Sequence, residues 1–382
     1  MAAAPTSPGV RREDVFLKPE VRLATGVPGI VGFAQAKASG KAKPNIPFAL
    51  HRKNEFWDNF SCPVHVYIAD AVAAFFDNGG ERCYVVGTER LVEPGFEAAP
   101  AVLEAAIDAL APVADLDLLT VPDAMAPMGR GSMLRVQRHA VAHCAAQGDR
   151  LAILDTPRGA SAADVLAQRD AILLGQAEPV SAALYYPWVK TMAERLVPPS
   201  SAVAGIFART DARTGVHKAP ANEEVIGVLD LESATIQDQL SPEGINCLRA
   251  FPGRGIRVWG ARTISREPAW RYVNVRRLVL TLRRWIALNM VWAGFEPNGP
   301  RLWIRIEREL RGYLAGLWRA GALSGDTPAA AFYVKCDSET NPSEHRDGGE
   351  VVTEIGLAPN PPAEFVVVRL TQREGVADLL PR

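Results

Sequence analysis

Leu151-Ala152-Ile153-Leu154-Asp155-Thr156-Pro157-Arg158-Gly159-Ala160-Ser161-Ala162-Ala163-Asp164-Val165-Leu166-Ala167-Gln168-Arg169-Asp170-Ala171-Ile172-Leu173 encodes a strand, a turn and a helix. Leu151 to Leu154 is a short unbroken apolar run, the signature of a strand buried on both faces. Asp155-Thr156-Pro157 ends it, because proline cannot donate to a ladder. Ser161, with Asp164 three residues on, predicts a helix start running to Leu173. The same alternation extends both ways. Leu116–Val121 predicts a strand ending at Pro122, Ser132–Gln147 a helix, and Ser181–Tyr186 another strand. Upstream, Asp70–Asp77 predicts a helix stopped by Asn78-Gly79-Gly80, and Tyr84-Val85-Val86-Gly87 a strand. Ile30, Val31 and Phe33, spaced by glycines, predict a further short strand. Strands alternating with helices indicate βαβ units around a mainly parallel sheet.

After about Asn222 the texture changes. A loop-rich stretch passes through Ser241-Pro242-Glu243-Gly244 and Phe251-Pro252-Gly253-Arg254-Gly255. Helices are predicted over Val275–Val291 and Arg301–Ala320, the second with an apolar stripe of Trp303, Ile306, Leu310, Tyr313, Leu314 and Leu317. Ala331–Cys336, Glu350–Leu357 and Glu364–Leu370 read as strands, so this half is α+β. The prolines and charges before residue 25 predict an extended arm.

The 382 residues allow two or three domains. Apolar residues at 48% and charged ones at 22% exclude wholesale disorder. A net charge of −1 gives no global field toward nucleic acid or an acidic membrane. No apolar run reaches the length of a membrane span, and the first residues lack a signal-peptide pattern. The five cysteines contain no C-x-x-C pair, so reduced, buried thiols are expected rather than a zinc site.

Catalytic patterns are weak. His139 and His143 are spaced to share a helix face beside Cys144, but Ala140 stands where a hydrolytic zinc motif needs Glu. Gly129-Arg130-Gly131-Ser132 opens a helix without the lysine or spacing of a phosphate loop. Asp155 ends a strand where α/β enzymes often hold a carboxylate, yet no His or Ser pairs with it in the sequence. Asp115 and Asp117 alternate on a strand edge and are expected to be solvated. No set of residues meets the nucleophile, base and orienter test.

Charge is concentrated elsewhere. Between Arg254 and Arg319 there are fourteen arginines, no lysine and only Glu267, Glu296, Glu307 and Glu309 as acids. Six of the eight tryptophans share the stretch. Arg and Trp together are typical anchors of protein interfaces. The segment Glu364–Leu370 has strong β character, and a free edge there would accept a strand from another chain.

Across almost its whole length the chain resembles phage-type contractile tail sheath proteins. The resemblance rests on Ser7-Pro8-Gly9-Val10, Phe75-Phe76-Asp77-Asn78-Gly79-Gly80 and Val197-Pro198-Pro199-Ser200-Ser201. Gly215 to Asn222 and Gly244-Ile245-Asn246 add to it. Densest are Gly253-Arg254-Gly255-Ile256-Arg257-Val258-Trp259-Gly260-Ala261-Arg262-Thr263, Arg276-Arg277, Phe295-Glu296-Pro297-Asn298 and Gly321-Ala322-Leu323-Ser324-Gly325. It implies a subtilisin-like α/β domain without a catalytic triad, then an α+β C-terminal domain, with extended arms at both ends. The expected division is an arm over 1–25, the α/β domain over 26–225, the α+β domain over 226–370 and a second arm over 371–382.

The resemblance further implies stacked hexameric rings around an inner tube protein, contracting to drive that tube through an envelope. Baseplate and tail terminator proteins, and paralogous sheath subunits, are the other implied partners. No cofactor, metal, nucleic acid or membrane insertion is implied. The implied setting is cytoplasmic synthesis without a signal peptide, then assembly into a virion tail or tail-like particle. Arg276, Arg277, Arg283 and Arg284 are expected to face the tube or a neighbouring subunit. Pro8, Gly9, Val10, Phe365, Val367 and Arg369 are expected to exchange strands between subunits. Val10-Arg11-Arg12-Glu13 departs from the family's usual Tyr and acidic residues there. The alternatives are an α/β hydrolase-like enzyme and a nucleic-acid-binding module using the Arg-rich region.

Overall fold

The computed structural model describes residues 23–88, 100–126, 128–233, 235–364, 368–373 and 376–381. The strands used below are β1 Pro28–Gly32, β2 Phe48–Leu50, β3 Cys83–Gly87, β4 Leu118–Thr120, β5 Leu151–Asp155, β6 Ala182–Tyr186, β7 Glu223–Glu224, β8 Asn246–Phe251, β9 Gly255–Trp259, β10 Phe332–Lys335, β11 Glu354–Leu357, β12 Val368–Arg373 and β13 Val376–Pro381. The helices are α1 Ile68–Asp77, α2 Pro100–Asp108, α3 Arg130–Gln147, α4 Ala162–Leu173, α5 Ser200–Arg213, α6 Val273–Asn289 and α7 Pro300–Arg319.

A nine-stranded sheet carries the first core, in the order β7-β9-β8-β6-β5-β4-β1-β3-β2. From β3 through β8 neighbouring strands run parallel, while β2, β9 and β7 are antiparallel at the edges. Every residue of β1, β4, β5 and β6 is buried, which is why these strands read as continuous apolar runs. Helices α2, α3 and α4 pack side by side, and α1 packs on α5. That last contact is close: a Cβ at Gly205 of α5 would stand 2.3 Å from the Phe75 carbonyl of α1. Ser161 and Asp164 cap α4 reciprocally, as their spacing predicts.

The main sheet extends beyond residue 225, where the sequence reading divides the α/β from the α+β part. Strands β8 and β9 form a hairpin that joins β6, so the stretch read as loop is sheet. The reason is local. Pro252-Gly253-Arg254-Gly255 makes a turn, and Arg249 and Arg257 interrupt the apolar pattern of the strands on either side of it.

A second core gathers Leu278, Leu282, Trp285, Leu302, Trp303, Ile306, Leu310 and Leu314 with Phe332 and Val334 of β10. The predicted stripe of α7 is thus its buried face, and Trp285 stacks on Tyr313 at 4.1 Å. Helix α6 serves both cores, sending Val273 and Leu280 into the first and Leu278, Leu282 and Trp285 into the second. Strands β10 and β11 pair antiparallel as a two-stranded sheet.

Candidate assembly surface

Three buried aspartates hold the ends of the main sheet. Asp123 accepts from the Phe33 amide at 2.7 Å and the Tyr67 amide at 2.5 Å, just ahead of α1. A Cβ at Gly32 would lie 2.4 Å from its carboxylate, so only glycine fits there. Asp155 accepts from the Ser200 amide at 2.8 Å at the start of α5. A carboxylate at a helix N-terminus completes unpaired amides and complements the helix dipole. Burial nevertheless pushes Asp123 up to about 6 and Asp155 up to about 7, outweighing those hydrogen bonds. Asp117, expected to be solvated, is buried. It accepts from the amides of Gly26 and Val27 at 3.1 and 2.7 Å. Asp115 is paired with Arg82 and half-exposed.

The catalytic candidates do not converge. His139 sits 2.8 Å from Asp108, while His143 is buried against Arg150 and pushed down to about 4, first by burial and then by that charge. Among the described residues no group of three His, Cys, Asp or Glu side chains could hold a metal. Arg130, of the loop opening α3, pairs with Asp164 of α4 at 3.0 Å. A cleft of about 410 Å³ lies beside it, lined by Tyr67, Met125, Met133, Arg158 and Trp188. Its lining offers no nucleophile with a base. Asp155 binds a backbone amide and acts as a structural anchor.

Most of the α6 arginines are enclosed within the subunit. Arg276, Arg277 and Arg284 are buried; only Arg283 is exposed, over Gly148 at the C-terminal end of α3. Arg277 reaches Asp211 at 2.8 and 2.5 Å and Asp117 at 2.8 Å, with the Phe207 ring 5.1 Å away. Burial works against its charge, but the two carboxylates override it and hold the guanidinium above its ordinary value. Arg276 donates to the Ser181 hydroxyl at 2.8 Å and lies over Trp270 at 5.0 Å. Burial, then the charge of Arg283, push it below its ordinary value. A signal for this was present: Val273, Arg277, Leu280 and Arg284 follow core spacing on one helix face, so arginines there demand buried partners.

Exposed arginine lies instead on α7. Arg301, Arg308 and Arg319 are exposed and form no ion pair among the described residues, with Ile304 between them 66% exposed. Arg311 pairs with Glu307 at 2.7 Å, and Arg305 lies over Trp292. In the α6–α7 connection Phe295 is fully exposed with φ of +65°, a left-handed conformation that costs energy for a phenylalanine. Of the terminal residues expected to exchange strands, Pro8, Gly9, Val10, Phe365 and Val367 lie outside the described residues. Arg369 falls in β12, opposite Leu380 of β13. The segment read as a free edge strand and tail is therefore paired with itself on one side. Glu364, just before it, is fixed by Arg262 at 2.8 Å.

Two family descriptions match in succession: "Phage tail sheath protein central domain" over residues 99–264 and "Phage tail sheath C-terminal domain" over 265–373. The chain belongs to the phage tail sheath family. It is 25% identical over 360 residues, with 89% of each chain covered, to a protein of Pseudomonas aeruginosa strain UCBPP-PA14 provisionally named a prophage major tail sheath protein. It is 30% identical over 251 residues to the tail sheath protein of Burkholderia phage BcepMu, covering 58% of this chain and 49% of that one. Among solved structures it superposes on the sheath complex of an extracellular contractile injection system, PVC, in the contracted state, with TM-score 0.75 and 28% identity over 97% of this chain and 99% of that one. The contracted helical sheath of the anti-feeding prophage gives TM-score 0.73 and 29% identity over 97% and 100%. This sheath-family chain is a structural subunit of a phage tail or tail-like particle. Neither the hydrolase nor the nucleic-acid alternative has a counterpart among these relatives. No described helix is long and apolar enough to cross a membrane.

Proposed function

We propose that the chain polymerises as stacked hexameric rings around an inner tube and contracts to drive that tube through a target envelope. The observation that carries this is the near end-to-end likeness to contracted sheaths of two injection systems. On this reading the α/β core is a subtilisin-like scaffold that has no triad, and its buried aspartates hold helices instead of doing chemistry. Subunits join head to tail through contacts that do not close, which generates a helix. Arms from neighbouring subunits add strands beside β10 and β11, neither of which has a second strand neighbour among the described residues. The donors are the segment around Pro8, Gly9 and Val10 and the tail after Leu370, and the segment around Phe365, Val367 and Arg369 takes part in the exchange as an accepting edge. Such tethers keep subunits joined while rigid bodies rotate from an extended to a contracted lattice.

Tube contact is assigned to the exposed arginines of α7 rather than to the buried ones of α6. Partly solvated ion pairs, worth about 0–1 kcal/mol each, hold during assembly and release on firing. A baseplate, a tail terminator and paralogous sheath subunits complete the partner set, and synthesis in the cytoplasm precedes assembly. The test is negative-stain electron microscopy of the chain co-produced with its tube protein, alongside a variant lacking residues 1–20. Striated tubes from the full chain alone are expected. Tubes of equal length from the truncated chain would remove the N-terminal arm from the mechanism, and no tubes from either would reject polymerisation around a tube.

A further inference from the structure

Helix α6 carries Arg276, Arg277, Arg283 and Arg284 and no acidic residue. Each guanidinium must find its anion or acceptor elsewhere. Arg277 takes both carboxylates that reach this face, Asp117 and Asp211. Arg276 uses the Ser181 hydroxyl, the Pro179 carbonyl and the Trp270 ring. Arg283 is exposed to water. Arg284 has none of these outlets. It is 4% exposed, and its Nε, Nη1 and Nη2 are buried with no hydrogen-bond partner among the described residues. A buried guanidinium without a counterion is among the most costly arrangements a fold can hold. Ala287 and Leu288, on the next turn of α6, are exposed.

We propose that Arg284 is an unfilled carboxylate receptor in the free subunit, completed by an Asp or Glu side chain of a second copy of this chain. The inference rests on the sheath reading, in which every subunit is surrounded by copies of itself. Arginine suits the task, since its planar fork binds a carboxylate through two parallel hydrogen bonds. Arg277 on the same helix face shows the satisfied form of that arrangement.

The test uses Arg284→Met and Arg284→Lys in the full chain, with two readouts. The first is the melting temperature of the unassembled subunit. The second is the yield of sheathed tubes on co-production with the tube protein. Replacing an uncompensated buried charge by a volume-matched apolar side chain relieves the subunit, so Arg284→Met should melt a few degrees higher or unchanged. Its tube yield should fall at least tenfold, and Arg284→Lys, which keeps the charge, should fall less. A melting temperature lowered by several degrees, or failure to fold, would mean that the anion is supplied within the subunit, and would overturn the proposal. Wild-type yield from Arg284→Met would overturn it equally. Absence of sheathed tubes from the wild-type chain itself would instead reject the sheath reading beneath it.

Discussion

Asp155 is enclosed at the end of β5, and burial pushes its carboxyl up to about 7 from an ordinary 3.8, against the lowering contact with Ser200. A carboxyl raised in the folded state favours the protonated form. Its contribution is fully present below about pH 4 and is lost as pH rises through about 7. Asp123, raised to about 6, acts in the same direction over a narrower window. Asp155→Asn keeps an oxygen to accept from the Ser200 amide and removes the titration. Urea unfolding of the unassembled chain between about pH 4 and about pH 8 should therefore show the wild type losing stability relative to this variant. The gap should open by roughly 1.4 kcal/mol per pH unit between the unfolded and folded titration midpoints, a few kcal/mol in all. Parallel curves would mean that Asp155 titrates normally and that its burial is relieved by water. Nothing in the sequence marks Asp155 as buried: an Asp before Thr-Pro looks like a turn former, and only the arrival of α5 from 45 residues downstream changes its role.

At the scale of elements, legibility follows how local the cause is. The capped start of α4 and the apolar stripe of α7 depend on neighbours three and four residues away, so they are visible in the sequence. Helix α6 is only half legible. Its length follows from its composition and its spacing puts Arg277 and Arg284 on the core face, but the partners of Arg277, Asp117 and Asp211, are brought against it only by the sheet and by α5. The β8–β9 hairpin is hidden for the opposite reason, because its turn residues are conspicuous and its strands are not. The outward face of α7 carries exposed charge, at Arg301, Arg308 and Arg319, that forms no ion pair among the described residues. Reversing it with Arg301→Glu, Arg308→Glu and Arg319→Glu together should leave the subunit's melting temperature within about a degree, since exposed substitutions away from special contacts change little. Sheath formation around the tube should be abolished, and wild-type tubes should form less readily as salt is raised. Normal sheathing by the triple variant would take α7 out of the interface and leave Phe295 and the α6–α7 connection as the surface to test next.

Among the described residues one helix, α6, is shared between the two cores. Val273 and Leu280 of α6 belong to the sheet's core, while Leu278, Leu282 and Trp285 belong to the core under α7. Each core packs against α6, and the Arg277 ion pairs fix that helix to the elements of the first core. Which surfaces then meet in the lattice is not written in one chain, because those contacts are completed by residues of another. The internal coupling is testable on the subunit alone. Leu280→Ala removes a side chain from the first core and Leu282→Ala one from the second, each at a cost of about 2–5 kcal/mol. If α6 joins the cores into one cooperative unit, calorimetry of either variant should give a single transition displaced downward, with calorimetric and van't Hoff enthalpies in agreement. Two separated transitions, with Leu280→Ala lowering one and Leu282→Ala the other, would show the cores unfolding independently. The shared helix would then be a hinge between two bodies, and contraction would have to be described as motion within the subunit as well as between subunits.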